Sequence, residues 1–423
     1  MKLARYLFLL GLSGSVAVSG FGATEASPGR AKVDCGKAVC DCSIEGTWCG
    51  QADWAFSLFR EAAPAKGNAV LSPFSVASAL GLTGLGANGE TGEEMAKVLG
   101  FPDFVELLTA WPGVFQSLAD ATNESVRLEM TNSLWPKREV AGHLNRRFLH
   151  YAKDVFHAEV QPISMDASGQ EAVNAFVAAA TKGRIPQLLS EPPDAATQLL
   201  ILNTVWLKAK WAHPFKPSQT EKGIFHATDG DAEASFLHLA KTFAYAKTEG
   251  VEAVCLPYAG GGLEMLVLLP EKGVDFASFE KELSLKKLRA LQAAFKDEVV
   301  DLALPKFELE STADLTNPLQ AMGMKKAFSW QADFSGISRD IPLSISQVFQ
   351  KANITVDEEE TEAAAATAVV MERSSMLPPR PTVSFRADRP FFFVIRHRKT
   401  NLVLFLGRVE KPIAPTGGTV VER

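Results

Sequence analysis

Apolar residues recur along the chain with two different periods. Spacings of three and four residues, typical of amphipathic helices, run through residues 52–62, 75–85, 144–156 and 170–180. Short apolar runs, typical of strands, occupy residues 199–207, 264–269, 299–304, 354–356, 391–395 and 402–406. Helices and strands do not alternate regularly, so the pattern predicts an α+β fold with mainly antiparallel sheets rather than a doubly wound parallel sheet.

A glycine-rich stretch at residues 84–89 fits the G-x-G-x-x-G pattern of dinucleotide-binding loops. That loop needs a strand before the glycines, whereas residues 73–85 are rich in Ala and Leu and have helical spacing. The glycines are therefore predicted to end this helix and turn the chain. Thr91 and Glu94 have the spacing of a capping box, which predicts that the next helix begins there.

Length and charge narrow the classes of function. The chain has 423 residues, with 43 Lys+Arg against 49 Asp+Glu and a formal net charge of −6. This balance excludes a broadly basic phosphate-binding surface, so no nucleic-acid partner is expected. No linker rich in Pro, Ser or Gly that would separate domains lies between residue 50 and the C-terminus, which predicts one large domain.

The first residues have the layout of a secretory signal peptide. Lys2 and Arg5 precede an apolar run over residues 6–18, and small residues follow it. We expect a signal peptide over about residues 1–23 and therefore a secreted protein, periplasmic if the source is bacterial. No apolar run reaches the ~20 residues of a membrane span, so none is predicted.

Four of the five cysteines lie close together after this segment, at Cys35, Cys40, Cys42 and Cys49. In an exported chain such a set favours disulfides, although free or intermolecular thiols and a metal site are alternatives. The gaps do not have the paired spacing of zinc sites and no His is near, so no metal and no cofactor are predicted. Cys255 lies in an apolar run and is expected to be a buried core residue.

Motifs of common enzymes are missing from the sequence. It contains no H-E-x-x-H, G-x-S-x-G or Walker A motif, and its seven His residues are scattered. The chain is therefore not expected to be an enzyme.

An Ala- and Thr-rich segment at residues 361–370 follows the acidic residues 357–360 and precedes a proline-rich stretch at residues 377–381. Its small side chains can enter a packed sheet between existing strands, and Thr367, Val369 and Val370 favour an extended chain. An Ala-rich helix after acidic residues is equally compatible with the composition.

From about residue 50 to Pro412 the chain resembles a serpin. Nine motifs occur in the order found in that family: Asn68 with Ser72-Pro73-x-Ser75, Asn132 in TNSLW, residues 181–185, residues 202–215, Leu256-Pro257-Tyr258, Leu304-Pro305-Lys306-Phe307, residues 332–336, residues 358–366, and Asp388-Arg389-Pro390-Phe391 with Phe405-Leu406-Gly407.

The resemblance implies one domain of three mainly antiparallel sheets and about nine helices that exposes residues 361–375 as a reactive-centre loop. A serine protease attacks this loop and forms an acyl-enzyme, and insertion of the cleaved loop into the large sheet traps a covalent 1:1 complex. The protein is expected to be a monomer. Ser72, Ser75 and Asn203 resemble the shutter that lets the sheet open, and Trp211 the breach where insertion begins.

The hinge of the loop corresponds to Glu358, Glu359, Glu360, Thr361, Glu362, Ala363, Ala364, Ala365 and Ala366. Glu360 stands where the family usually has Gly, which could slow the start of insertion. Counting sixteen residues from the first hinge acid places the reactive bond after Ser374, between Ser374 and Ser375. Arg373 lies one residue earlier and suits a trypsin-like protease, so the bond between Arg373 and Ser374 is preferred.

These features divide the chain into a signal peptide (1–23), a Cys-containing extension (24–50), a serpin domain (51–413) and a tail (414–423). One alternative is a non-inhibitory serpin that acts as a binding protein; another is an inhibitor of elastase-like or cysteine proteases. The basic stretches at residues 143–153 and 281–289 are compatible with a heparin-like cofactor, but they are interpreted as solvated helix faces.

Overall fold

The computed structural model describes residues 45–181, 183, 186–358 and 383–415, with side chains from residue 53 onward. Nine α-helices occur within these ranges: α1 (Glu45–Ala62), α2 (Pro73–Gly84), α3 (Gly89–Leu99), α4 (Phe104–Asp120), α5 (Arg146–Asp154), α6 (Ala167–Ala180), α7 (Phe276–Glu282), α8 (Leu285–Ala294) and α9 (Thr316–Ala321).

Fourteen strands complete the described fold: β1 (Ala69–Leu71), β2 (Val126–Pro136), β3 (Glu159–Val160), β4 (Leu199–Ala209), β5 (Glu221–Ala227), β6 (Gly230–Thr248), β7 (Val251–Pro257), β8 (Leu263–Pro270), β9 (Lys296–Pro305), β10 (Phe307–Asp314), β11 (Ile345–Val356), β12 (Val383–Arg386), β13 (Phe391–His397) and β14 (Val403–Val409). Most neighbouring pairs are antiparallel, and the exceptions are β2 with β3, β4 with β11 and β9 with β12.

The five-stranded sheet has the order β10-β11-β4-β2-β3. Its central strands β4 and β11 are parallel, with Ile345 opposite Leu199 at one end and Ile354 opposite Leu207 toward the other. We call the end at Val356, which leads to Glu358, the hinge end. The end at Ile345 is the far end.

The other nine strands form a continuous path, β1-β14-β13-β8-β7-β6-β9-β12, with β5 paired to β6. The start of the 19-residue strand β6 pairs with β5, and its end pairs with β7. Because the two ends of β6 pair with different strands, the path is divided at β6 into two sheets that share this strand. Together with the five-stranded sheet they give the predicted three-sheet α+β architecture.

Both faces of the five-stranded sheet are covered. Side chains alternate along β4, so Leu199 and Ile201 enter the main core beneath α2. Leu200 and Leu202 point to the opposite face and pack with Val173 and Val177 of α6. A side chain in the centre of this sheet is therefore buried whichever way it points.

The four predicted helices and six predicted strands are all present, with shifted ends. The glycines end α2 as predicted, but the capping box is wrong: α3 begins at Gly89, after Asn88. The Thr91 hydroxyl instead accepts a hydrogen bond from the Asp333 amide (3.0 Å), and the Glu94 carboxylate accepts from the amides of residues 325 and 326. These two side chains are used to hold a distant segment against α3.

No single helix in the described ranges is long and apolar enough to cross a membrane. The pair α3 and α4, bent by 42°, passes that test of length and composition when the two helices are taken together.

Candidate functional site

The hinge end of β11 is fixed by a partly buried ion pair. The carboxylate of Glu358 lies 2.5 Å from Lys306 Nζ, and it accepts a hydrogen bond of 2.7 Å from the hydroxyl of Thr220. The backbone carbonyl of Glu358 accepts a further bond of 3.2 Å from the amide of Phe215. Three separate segments thus hold the last described residue before the predicted loop.

Trp211, the predicted breach residue, lies directly beside this hinge. Its indole Nε1 donates to the carbonyl of Asp357 at 3.1 Å. Its ring stacks on Tyr258, with centroids 4.6 Å apart, and meets Phe215 edge-on at 5.9 Å. The buried tryptophan therefore joins an aromatic cluster to the backbone where β11 ends.

The predicted shutter residues meet in a buried hydrogen-bond network across the five-stranded sheet. The Asn203 amide donates to the Ser75 hydroxyl, and it also donates to Asn132 Oδ1 at 2.6 Å. Gln350 donates to Asn203 Oδ1 at 2.6 Å. Asn132, Asn203 and Gln350 lie opposite one another on β2, β4 and β11, so they form one polar row beneath α2.

Ser72 joins this network through its backbone. Its amide donates to Gln350 Oε1 at 2.8 Å, and its carbonyl accepts from Gln350 Nε2 at 2.9 Å. On the other side, Asn132 donates to the hydroxyl of Ser78 at 2.9 Å, and the indole of Trp111 donates to the same hydroxyl at 3.3 Å. Side chains from three strands are in this way tied to one helix.

Gln350 is the central residue that the sequence did not reveal. It is fully buried and bridges β11 to both α2 and β4. The available signal was a polar residue inside a strand whose neighbouring inward positions, Val348 and Ala352, are apolar. Separation of β4 from β11 must break the bond between Gln350 and Asn203.

Several predicted site residues lie outside the described residues. These are Cys35, Cys40 and Cys42, hinge residues Glu359 to Ala366, and the reactive-bond residues Arg373, Ser374 and Ser375. Cys49 lies within α1, which begins at Glu45. Cys255 is buried in β7 as predicted, and burial raises the pKa of its thiol.

The two basic stretches lie largely on helices, α5 for one and α7 with α8 for the other. Arg147 donates to the Tyr151 hydroxyl at 2.6 Å, while Phe148 and Ala152 of the same helix are buried. Lys287 forms an ion pair of 2.9 Å with Glu282. These contacts fit the interpretation as solvated helix faces.

The hinge ion pair should make stability depend on pH. Burial acts to raise the pKa of Glu358, but hydrogen bonds from Lys306 and Thr220 outweigh it and leave the pKa below the ordinary 4.5. The stabilisation is therefore complete above the pKa of the unfolded chain and is lost as pH falls through the lower folded pKa. We expect Glu358→Gln to lower the thermal midpoint at pH 7 by about 2 °C.

Calorimetry of both proteins from pH 7 to pH 3 provides the measurement, and the difference between them should shrink in acid. Glu249→Gln, in the exposed turn between β6 and β7, is the matched control and should leave the midpoint unchanged. A constant difference at every pH would contradict the assignment to the ion pair.

Comparison with known proteins identifies the family of this chain. The family model described as serpin (serine protease inhibitor) matches residues 50–412. An uncharacterised serpin-like protein of Thermococcus kodakarensis is 35% identical over 85% of this chain and 84% of its own length. Leukocyte elastase inhibitor of Bos taurus is 34% identical over 82% and 93%. The crystal structure of human thyroxine-binding globulin, 29% identical, superposes with a TM-score of 0.77 over 87% of this chain and 99% of that one. The chain belongs to the serpin family.

Proposed function

We propose that this serpin is a secreted suicide-substrate inhibitor of trypsin-like serine proteases that acts as a monomer. The observation that carries the proposal is the parallel pairing of β4 and β11, with the hinge leading directly from the end of β11. A loop that folds back from Glu358 enters between these strands antiparallel to both. One parallel ladder is then replaced by two antiparallel ladders, which are slightly more stable per residue.

The composition of the loop suits this position. A strand between β4 and β11 is covered by α2 on one face and by α6 on the other, so its side chains must be small or apolar. Residues 361–370 are Thr, Ala and Val apart from Glu362. Their insertion adds ladder hydrogen bonds and buries apolar surface, and this stabilisation traps the acyl-enzyme before water can hydrolyse it.

Similarity to two relatives supports two alternative functions. Similarity to leukocyte elastase inhibitor favours a protease that accepts small residues and therefore cleavage after Ser374. Similarity to thyroxine-binding globulin favours a non-inhibitory binding protein. Bulky, charged or proline residues in the inserting run would support that second candidate, and residues 361–370 contain only Glu362 in this class.

Incubation with trypsin-like and elastase-like proteases, followed by denaturing gel electrophoresis, tests the proposal. We expect a covalent 1:1 adduct with a trypsin-like enzyme. Ala364→Arg should remove most of the adduct and convert the protein into a substrate, because a guanidinium cannot be buried unpaired in the sheet.

Leu377→Arg is the matched control. It adds the same charge beyond the inserting run and before Pro378, where no new trypsin site arises, so the adduct should persist. Cleavage of the wild type by every protease without a gel-stable adduct would contradict the inhibitory function and favour the binding protein.

A further inference from the structure

One large apolar side chain projects into solvent at a loop of the described fold. Trp330 is 88% exposed, whereas the next most exposed large apolar residue of the described chain, Val105, is 62% exposed. Tryptophan is among the side chains most enriched at the energetic centres of protein interfaces. Its indole offers a large contact area with few rotatable bonds.

The backbone that carries Trp330 is held firmly. The amide of Ala332 donates to the Ser329 carbonyl at 3.1 Å, and the amide of Gln331 donates to the Ser329 hydroxyl at 3.2 Å. Asp333 lies three residues after Trp330. Its amide donates to the Thr91 hydroxyl, and its carbonyl accepts a hydrogen bond from the amide of Asn88. A partner that contacts the indole therefore has little backbone to order.

This loop belongs to the segment that connects β10 to β11 at the far end of the five-stranded sheet, and the turn Lys326–Phe328, two residues before Trp330, lies against β11. The segment leaves the sheet where β10 ends at Asp314, opposite Phe349, and returns at Ile345, the first residue of β11. The amide of Leu315 donates to the carbonyl of Val348 at 2.8 Å, which fixes the start of the segment beside β11.

The number of residues between the hinge and the proposed reactive bond places that bond, once the loop is inserted, at the far end of the five-stranded sheet. Arg373 lies 15 residues after Glu358, and Ile345 lies 13 residues before it. Extended strands have nearly equal rise per residue, so a loop inserted antiparallel to β11 places Arg373 within about two residues of the level of Ile345. A protease esterified at that carbonyl must lie against the far end.

We infer that Trp330 is a docking contact for the acylated protease after loop insertion. The inference rests on the proposed function and names the surface of the inhibitor that receives the translocated enzyme. The indole packs against the surface of the trapped protease and slows hydrolysis of the acyl ester by water, the step that releases active protease. The first encounter at the reactive bond does not involve it.

Fluorine NMR of the inhibitor labelled with 5-fluorotryptophan, bound to an unlabelled trypsin-like protease, tests the contact directly. The Trp330 resonance is identified by its absence in Trp330→Phe. We expect it to lose its H2O/D2O isotope shift in the covalent complex and to keep that shift in loop-cleaved inhibitor without protease. Retention of the shift in a complex seen on the gel would overturn the docking contact alone.

Release kinetics supply a second measurement. Trp330→Ala should form as much gel-stable complex as the wild type but release active protease about threefold faster or more. Val105→Ala, on the exposed face of α4, is the matched control and should behave as the wild type. Equal release rates for wild type and Trp330→Ala would contradict the inference. Absence of complex with every protease would overturn the proposed function and the docking with it.

Discussion

Cleavage of the loop between residues 371 and 375 should raise the midpoint of thermal unfolding by about 10 °C or more. The uncut chain joins Glu358 to Val383, the first residue of β12, so under the proposed mechanism cleavage is what frees one end of the loop. After cleavage, residues 361–370 are free to pair with β4 and β11 on both sides. A net gain of about 1 kcal/mol per inserted residue gives about 10 kcal/mol over this run.

Calorimetry before and after cleavage measures this shift, with the cut placed by mass spectrometry. Ala364→Arg that mass spectrometry shows to be cut only between residues 371 and 375 is the matched control, because it has the same broken bond but a charged side chain that opposes insertion. Its midpoint should remain near that of the uncleaved protein. An unchanged midpoint for the cleaved wild type would instead favour the non-inhibitory binding protein.

Under the proposed mechanism, polar groups in the central sheet should oppose the insertion of a further strand. The bond from Gln350 to Asn203 crosses the seam between β11 and β4, and Asn203 is also bonded to Ser75 of α2. An unpaired amide in this buried row would cost free energy, so the network stabilises the closed seam between β4 and β11. At the hinge end, the ion pair between Glu358 and Lys306 fixes the residue from which an inserting loop would turn back.

Strongly apolar elements could be predicted from the sequence, and strands with mixed faces could not. Residues 199–207 form the core of β4 because side chains on both of its faces are buried. The longer strand β6 was not predicted, since buried and exposed positions are mixed along its 19 residues and the apolar signal is diluted. Helix α4 was likewise missed, although Trp111 and Leu107 of its inner face are fully buried.

Some residues of the candidate site could also be predicted from the sequence, and others could not. Ser75, Asn203 and Trp211 were predicted through the family motifs, and the structure places each at the seam or the hinge. Gln350 could not be predicted, because its role arises from the register of β11 against β4 and from the position of α2 beneath both strands. The misassigned capping box has a similar origin. Thr91 and Glu94 have the right spacing, but tertiary partners at residues 325, 326 and 333 compete for their side chains.

Replacement of the residue before the reactive bond should have the largest effect on inhibition. If Arg373 enters the pocket of a trypsin-like protease, its guanidinium forms a bidentate ion pair with the carboxylate there. Arg373→Ala leaves that buried carboxylate unpaired and should reduce the rate of inhibition by about 10³-fold or more. The thermal midpoint of the uncleaved protein should not change, because the substitution lies in a loop expected to be exposed.

Second-order inhibition rates with a trypsin-like enzyme provide the measurement, and Ser374→Ala is the matched control. That neighbouring change removes only a hydroxyl from the far side of the proposed bond, so it should alter the rate less than about tenfold. Mass spectrometry of the released C-terminal fragment decides between the two bonds, since cleavage after Arg373 gives a fragment that begins with Ser374. A fragment that begins with Ser375, together with inhibition that survives Arg373→Ala, would assign the reactive residue to Ser374 and the target to proteases that accept small side chains.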